Sequence, residues 1–144
     1  MSFTNLLCHV VFSTKDRRPA ITPDLREPLY QYAGGIIRGE GGVQLEIGGV
    51  EDHLHILLKL RPDQSLSDLM RQLKTNSSGW AGEQTSAWPG WQDQYAGFSV
   101  SESQVGAVRH YIATQQEHHR KMSFRDELIG LLRKHNIEFE ERYI

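Results

Sequence analysis

Two histidines separated by one residue, His53 and His55, sit in an aliphatic stretch, Leu54, Ile56, Leu57, Leu58 and Leu60. On a strand, side chains at i and i+2 project to the same side, so the two imidazoles, with Leu57 beside them, would form a two-ligand clamp for one metal ion while Leu54, Ile56, Leu58 and Leu60 face a core. Glu51 and Asp52 precede the pair and could hold its rings from outside. The plainer alternative is a pair of partly buried histidines with no ligand. A second pair lies downstream: Tyr111 and Gln115 are four apart, a helical spacing that points a phenol and an amide the same way beside an apolar stripe of Val105, Val108 and Ile112. A tyrosine there can also simply pack at the core edge with its hydroxyl in water.

The elements needed to carry these side chains can be read from periodicity. Residues 3–13 are β-branched and aromatic and predict a first strand. Thr22 and Pro23 open a helix whose apolar residues Leu25, Leu29, Tyr32 and Ile36 run to Gly39. Val43 to Val50 alternates as a second strand, with Gly48 and Gly49 expected to break or bulge it. Asp52 to Leu60 is the third strand. Ser65 caps a second helix, expected to fade at Asn76 to Gly79, followed by an aromatic loop over 80–96 and a short strand over 97–100. A helix through about Lys121 would carry Tyr111 and Gln115, a fourth helix would run from Ser123 to His135, and 137–144 would form an acidic tail. The order β-α-β-β-α-β followed by helices predicts an α+β, ferredoxin-like antiparallel sheet with C-terminal helices carrying the phenol. One domain is expected over 1–144: a core over 1–100, helices over 101–135 and a tail over 136–144.

The chain has 144 residues, 38% apolar and 24% charged, and a net charge of −2. That balance suits a globular protein and argues against binding nucleic acid by bulk charge. Local basic groups remain: Lys15, Arg17 and Arg18; Arg71 and Lys74; and His118, His119, Arg120 and Lys121. The first two clusters are the candidates for phosphate contact, and the tryptophan-containing loop is a weaker candidate for stacking an unpaired base. One cysteine, Cys8, and no apolar stretch long enough to span a bilayer lead to an expected cytoplasmic location without disulfides.

Several segments together resemble a known family. GGVEDHLHILLKL is similar to an HUH motif, in which U is hydrophobic, and VRHYIATQQEHHRK to the nucleophile helix of single-tyrosine transposases of the smallest insertion sequences. LCHVVFSTKDRRP, LSDLMRQLKTNSSGW, GFSVSESQV and FEERYI extend the likeness over nearly the whole chain. The resemblance is to the IS200-like transposases, including the REP-associated tyrosine transposases. It implies His53, His55 and Gln115 as metal ligands, Tyr111 as the nucleophile that becomes esterified to DNA, and a divalent ion, Mg²⁺ or Mn²⁺, although imidazoles suit softer ions than magnesium. It also implies single-stranded DNA hairpins as substrate and a homodimer whose active sites can be shared between chains.

Other readings keep part of this. A domesticated relative would act on scattered palindromic repeats, and a non-catalytic ferredoxin-like module would bind RNA or protein. A hydrolytic metalloenzyme built on His53 and His55 with His118 or His119 is disfavoured, because Arg120 and Lys121 adjoin the later histidines.

Overall fold

The computed structural model describes residues 2–144. Four antiparallel strands, β1 (Leu6–Ser13), β2 (Val43–Val50), β3 (His53–Leu60) and β4 (Ala96–Val100), form one sheet in the order β2-β3-β1-β4. Helices α1 (Pro23–Gly39) and α2 (Leu66–Gln84) make the two crossovers, which is the expected ferredoxin-like arrangement. Thr22 accepts from the Leu25 amide and Ser65 from that of Asp68, so both N-caps read from the sequence are formed.

The alternation of the central strands divides the molecule. Cys8, Val10 and Phe12 of β1 and Leu54, Ile56 and Leu58 of β3 face α1 and α2 and make the main core with Leu29, Ile37, Met70 and Leu73. The other face is covered too. Short helices α3 (Val105–Ala113) and α4 (Gln115–His118), then α5 (Phe124–Lys134), lie across it, and Val11 and Phe98 pack there with Phe124, Leu132, Phe139 and Ile144. The acidic tail is therefore docked: its last turn is a 3-10 helix, Glu141–Tyr143, and two of its apolar side chains join this second cluster.

Three local expectations change. The second helix does not fade at Asn76 to Gly79 but continues to Gln84, because Ser77 satisfies its hydroxyl within the helix on the Leu73 carbonyl and is buried there. The indole N–H groups of Trp91 and Trp88 donate to Ser77 and Ser78, fastening the loop to that helix. The glycines of β2 do not bulge it: the irregularity lies between Gln44 and Glu46, and Gly48 and Gly49 stay in register with His55 and Leu54. The helix expected through Lys121 is interrupted at Thr114 (φ −106°, ψ 24°), whose hydroxyl bonds back to the His110 carbonyl.

Cys8 shows how dry the main core is. Burial pushes its thiol up to about 11, against an opposing hydrogen bond from the Phe98 backbone. Because the thiolate is the reactive form, alkylation at pH 8 should run about a hundredfold slower in the native protein than in the unfolded chain, and should rise about tenfold per pH unit. Mass spectrometry after timed iodoacetamide labelling checks this; equal rates in the two states would contradict the buried thiol. Among the described residues no helix is long and apolar enough to cross a membrane.

Candidate active site

The strand register delivers three imidazoles to the face covered by the C-terminal helices. His53 pairs with Ser13 and His55 with Val11, so both point away from the main core, and His9, paired with Leu57, shares their side. His53 and His55 are fully buried and His9 nearly so. The Phe124 ring stacks on His53 at 4.3 Å between centroids, and the Tyr111 ring meets His55 edge-on at 5.7 Å.

Each ring is held from outside through Nδ1. His53 Nδ1 lies 2.7 Å from Asp52 Oδ1, His55 Nδ1 lies 2.8 Å from His9 Nε2, and a further imidazole, His119, has Nδ1 2.7 Å from the Met122 carbonyl. Such outer partners are the usual means of orienting metal-binding imidazoles. All three Nε2 atoms consequently point inward to one place. Glu127 Oε1 stands there, 3.1 Å from His53 Nε2 and 2.9 Å from the Nε2 atoms of His55 and His119. Gln115 Oε1 lies 3.2 Å from His53 Nε2 and 3.1 Å from His119 Nε2.

The second oxygen of Glu127 faces the phenol. Tyr111 donates its hydroxyl hydrogen to Glu127 Oε2, and the Gln115 amide N–H donates to the same oxygen at 3.0 Å. Burial raises the Tyr111 pKa further above its ordinary value, and the neighbouring carboxylate adds to the rise. For Glu127 burial works toward a raised pKa, but the close contacts with the His119, His53 and His55 rings overcome it and hold the carboxyl well below the usual range. Burial lowers His55 to about 4 and His9 to about 3, the latter also through His55. His53 moves the other way: burial would lower it, but the Asp52 and Glu127 carboxylates prevail.

His53, His55, His119 and Glu127 offer ligand atoms that all lie within 4.8 Å of one another, a set whose chemistry fits a divalent cation. The expected donors His53, His55 and Gln115 and the expected nucleophile Tyr111 thus meet in one place, within one chain. His119, weighed from the sequence only as part of a disfavoured hydrolytic site, is directed inward by the turn after α4 while Arg120 and Lys121 stay exposed. Glu127 and His9 were not singled out by sequence reasoning. The signal for Glu127 was a carboxylate between Phe124 and Leu128 on the apolar stripe of α5; His9 had none, since alternation alone does not reveal what faces it.

The five basic candidates do not form one group. Lys15, Arg71 and Lys74 line a cleft beside Trp91 and Asp93. Lys74 donates its ammonium hydrogens to the carbonyls of Gln92, Asp93 and Gln94, and Arg71 lies 3.7 Å from Asp68. Arg18 points elsewhere, toward α1 and the end of α2. At Arg17, left-handed backbone at Asp16 (φ 56°) and Arg17 (φ 55°) sets the guanidinium 5.1 Å from the centre of the Phe124 ring that stacks on His53. Trp91 meets Phe12 and Trp88 edge to face, and Trp80 stacks on Tyr32.

A family model described as "Transposase IS200 like" matches residues 2–115. Among curated proteins, the ISDra2 transposase TnpA of Deinococcus radiodurans is 23% identical over 116 residues, covering 76% of this chain and 83% of that protein. A crystal structure of a candidate transposase from Deinococcus radiodurans superposes with a TM-score of 0.64 at 22% identity, covering 77% of this chain and 91% of the other. The structure of a REP-associated tyrosine transposase bound to a REP hairpin gives a TM-score of 0.54 at 16% identity, over 78% of this chain and 68% of that one. At these identities the two structures bear on the fold.

Proposed function

Since the chain belongs to the IS200-like transposase family, whose match takes in residues 2–115, we propose that it cleaves and rejoins single-stranded DNA at hairpin ends through a covalent bond to Tyr111. The observation that carries this reading is that the Tyr111 hydroxyl, the Gln115 amide and the inward nitrogens of His53 and His55 converge on the two oxygens of one carboxylate, Glu127. A phenol that served only packing would have no reason to be tied into a buried imidazole cluster.

The chemistry follows from the residues. Tyr111 Oη attacks the phosphorus as its proton, already shared with Glu127 Oε2, is passed on to water. The P–O bond to the 3′ oxygen breaks with its electron pair, and that oxygen takes a proton from water and leaves as a 3′-hydroxyl. The phosphotyrosine ester keeps the energy of the broken bond, so a 3′-hydroxyl can attack it, restore the phenol and join a new strand without ATP. A divalent ion held by His53, His55 and Gln115 would withdraw charge from the phosphate oxygens as the bond is exchanged. Asp52 and His9 keep the two strand imidazoles turned inward. Arg17, whose guanidinium lies over the Phe124 ring that stacks on His53, is the basic residue best set to hold the adjoining phosphate, with Lys15 and Arg71 as outer contacts. Because all the donors meet in one chain, a dimer would bring two finished sites together rather than complete one.

Labelled single-stranded hairpin DNA incubated with the protein and manganese, then denatured, tests the reading. A labelled band at the mass of protein plus one DNA fragment is expected. Tight binding of hairpins with no such band, across varied stems and flanks, would instead mark a binding module.

A further inference from the structure

We propose that His119 and Glu127 are metal ligands of this chain, which with His53 and His55 form a three-imidazole, one-carboxylate centre selective for a transition ion such as Co²⁺ or Zn²⁺ over Mg²⁺. The inference deepens the reading of the same site and rests on it for the ion's role, though not for the ion's binding. Both added residues lie beyond the stretch that the family model matches, 2–115.

The argument is one of donors and acceptors. The Met122 carbonyl can only accept, so His119 Nδ1, 2.7 Å away, carries its hydrogen; the Asp52 carboxylate, 2.7 Å from His53 Nδ1, imposes the same on His53. In a neutral ring the other nitrogen is then a bare lone pair. Those Nε2 lone pairs face Glu127 Oε1 at 2.9 and 3.1 Å and Gln115 Oε1 at 3.1 and 3.2 Å, and both of these oxygens are acceptors as well. The orientation of the Gln115 amide follows from its N–H bonds to Glu127 Oε2 and the Tyr111 carbonyl. A buried point ringed by lone pairs is repulsive unless positive charge lies within it. Several imidazolium rings crowded on one carboxylate would supply that charge at a large desolvation cost, whereas one divalent ion supplies it with every ring neutral.

The donor set chooses the ion. Three imidazole nitrogens and one or two oxygens suit the borderline metals, whose affinities for nitrogen sites rise from Mn²⁺ through Co²⁺, while Mg²⁺ demands mostly oxygen and holds its water. All the ligand atoms lie within 4.8 Å of one another, a spread that one ion can bridge.

Metal titration of the chelator-treated full-length protein, without DNA, tests this. Co²⁺ should bind at one ion per chain with visible absorption bands, and Mg²⁺ at the same concentration should not displace it. His119→Ala and Glu127→Gln should each weaken Co²⁺ binding at least tenfold and change the Co²⁺ spectrum, with circular dichroism confirming that the variants are folded. The conservative Glu127→Asp should recover part of the affinity. Unchanged spectra and affinities in both variants, or displacement of Co²⁺ by equimolar Mg²⁺, would overturn the proposal while leaving the strand-transfer reading intact. A wild-type protein that binds Co²⁺ as described but never forms a covalent DNA adduct would do the reverse.

Discussion

Tyr111→Phe is expected to abolish the covalent protein–DNA adduct, by a factor on the order of 10³ or more, while hairpin binding stays within about twofold of the wild type. The change deletes one oxygen and leaves the ring, so the edge contact with His55 and the tilted contact with His118 at 4.8 Å survive. What disappears is the only atom in the cluster able to make the ester and the hydrogen it donates to Glu127 Oε2. That oxygen keeps the Gln115 amide at 3.0 Å, so the cost in stability should be about 1–2 kcal/mol, the usual result of removing one donor from a buried charged acceptor. Adduct yield on denaturing gels, hairpin affinity by fluorescence anisotropy and the denaturant midpoint together separate the roles. An adduct at wild-type yield in this variant would show that another nucleophile does the work and would end the assignment of Tyr111.

The contrast between adduct and stability matters because Tyr111 takes part in two networks at once. It belongs to the reacting group through its hydroxyl and to the packing of α3 against the sheet through its ring. A variant that lost both would be uninformative; phenylalanine loses one. The same logic singles out Gln115, whose side chain spans the cluster, from the neighbouring Gln116, which is exposed.

How much of this was visible in the chain depends on range. The alternation of His53, His55 and Leu57 against Leu54, Ile56 and Leu58 states the two-faced character of β3 outright, and the i, i+4 spacing brings Tyr111 and Gln115 together even though Thr114 interrupts the helix between them. These are local periodicities, and local rules recover them. The persistence of α2 past Asn76 was not legible, because it depends on Trp88 and Trp91 returning from ten or more residues away to donate to Ser78 and Ser77. Glu127 and His9 were not legible for the same reason. A buried carboxylate on an apolar helical stripe looks like a misplaced charge until the imidazoles opposite it are known. His119 was read through its sequence neighbours Arg120 and Lys121, when the turn after α4 separates the directions in which they point.

Gly48→Ala carries the second large expectation, and it tests how the phenol is positioned rather than what it does. Gly48 stays in the β2 ladder opposite His55, and a Cβ placed on it would lie 2.2 Å from the Ile112 carbonyl oxygen and 3.0 Å from its carbonyl carbon. Those atoms are backbone of α3, one residue from Tyr111, so no rotamer change can relieve the clash; the helix must move away from the sheet by about 1 Å to restore ordinary contact. Ile112 is fully buried, and lifting it should cost about 1–3 kcal/mol, as overpacking usually does. The effect on the reaction should be larger in proportion, a fall on the order of 10²-fold in the rate of adduct formation, because attack requires the hydroxyl to be aligned with the phosphorus and an ångström of displacement defeats that alignment. Gly106→Ala on the same helix is the matched control, since nothing lies within 4 Å of its added Cβ and removing a helical glycine should be neutral or stabilise by about 0.4–1 kcal/mol. Single-turnover adduct formation measured for both variants below their melting temperatures decides the matter. If Gly48→Ala reacted at the wild-type rate, Tyr111 would reach the phosphate from a position other than the one it holds beside Glu127, and the geometry on which the strand-transfer reading rests would have to be abandoned.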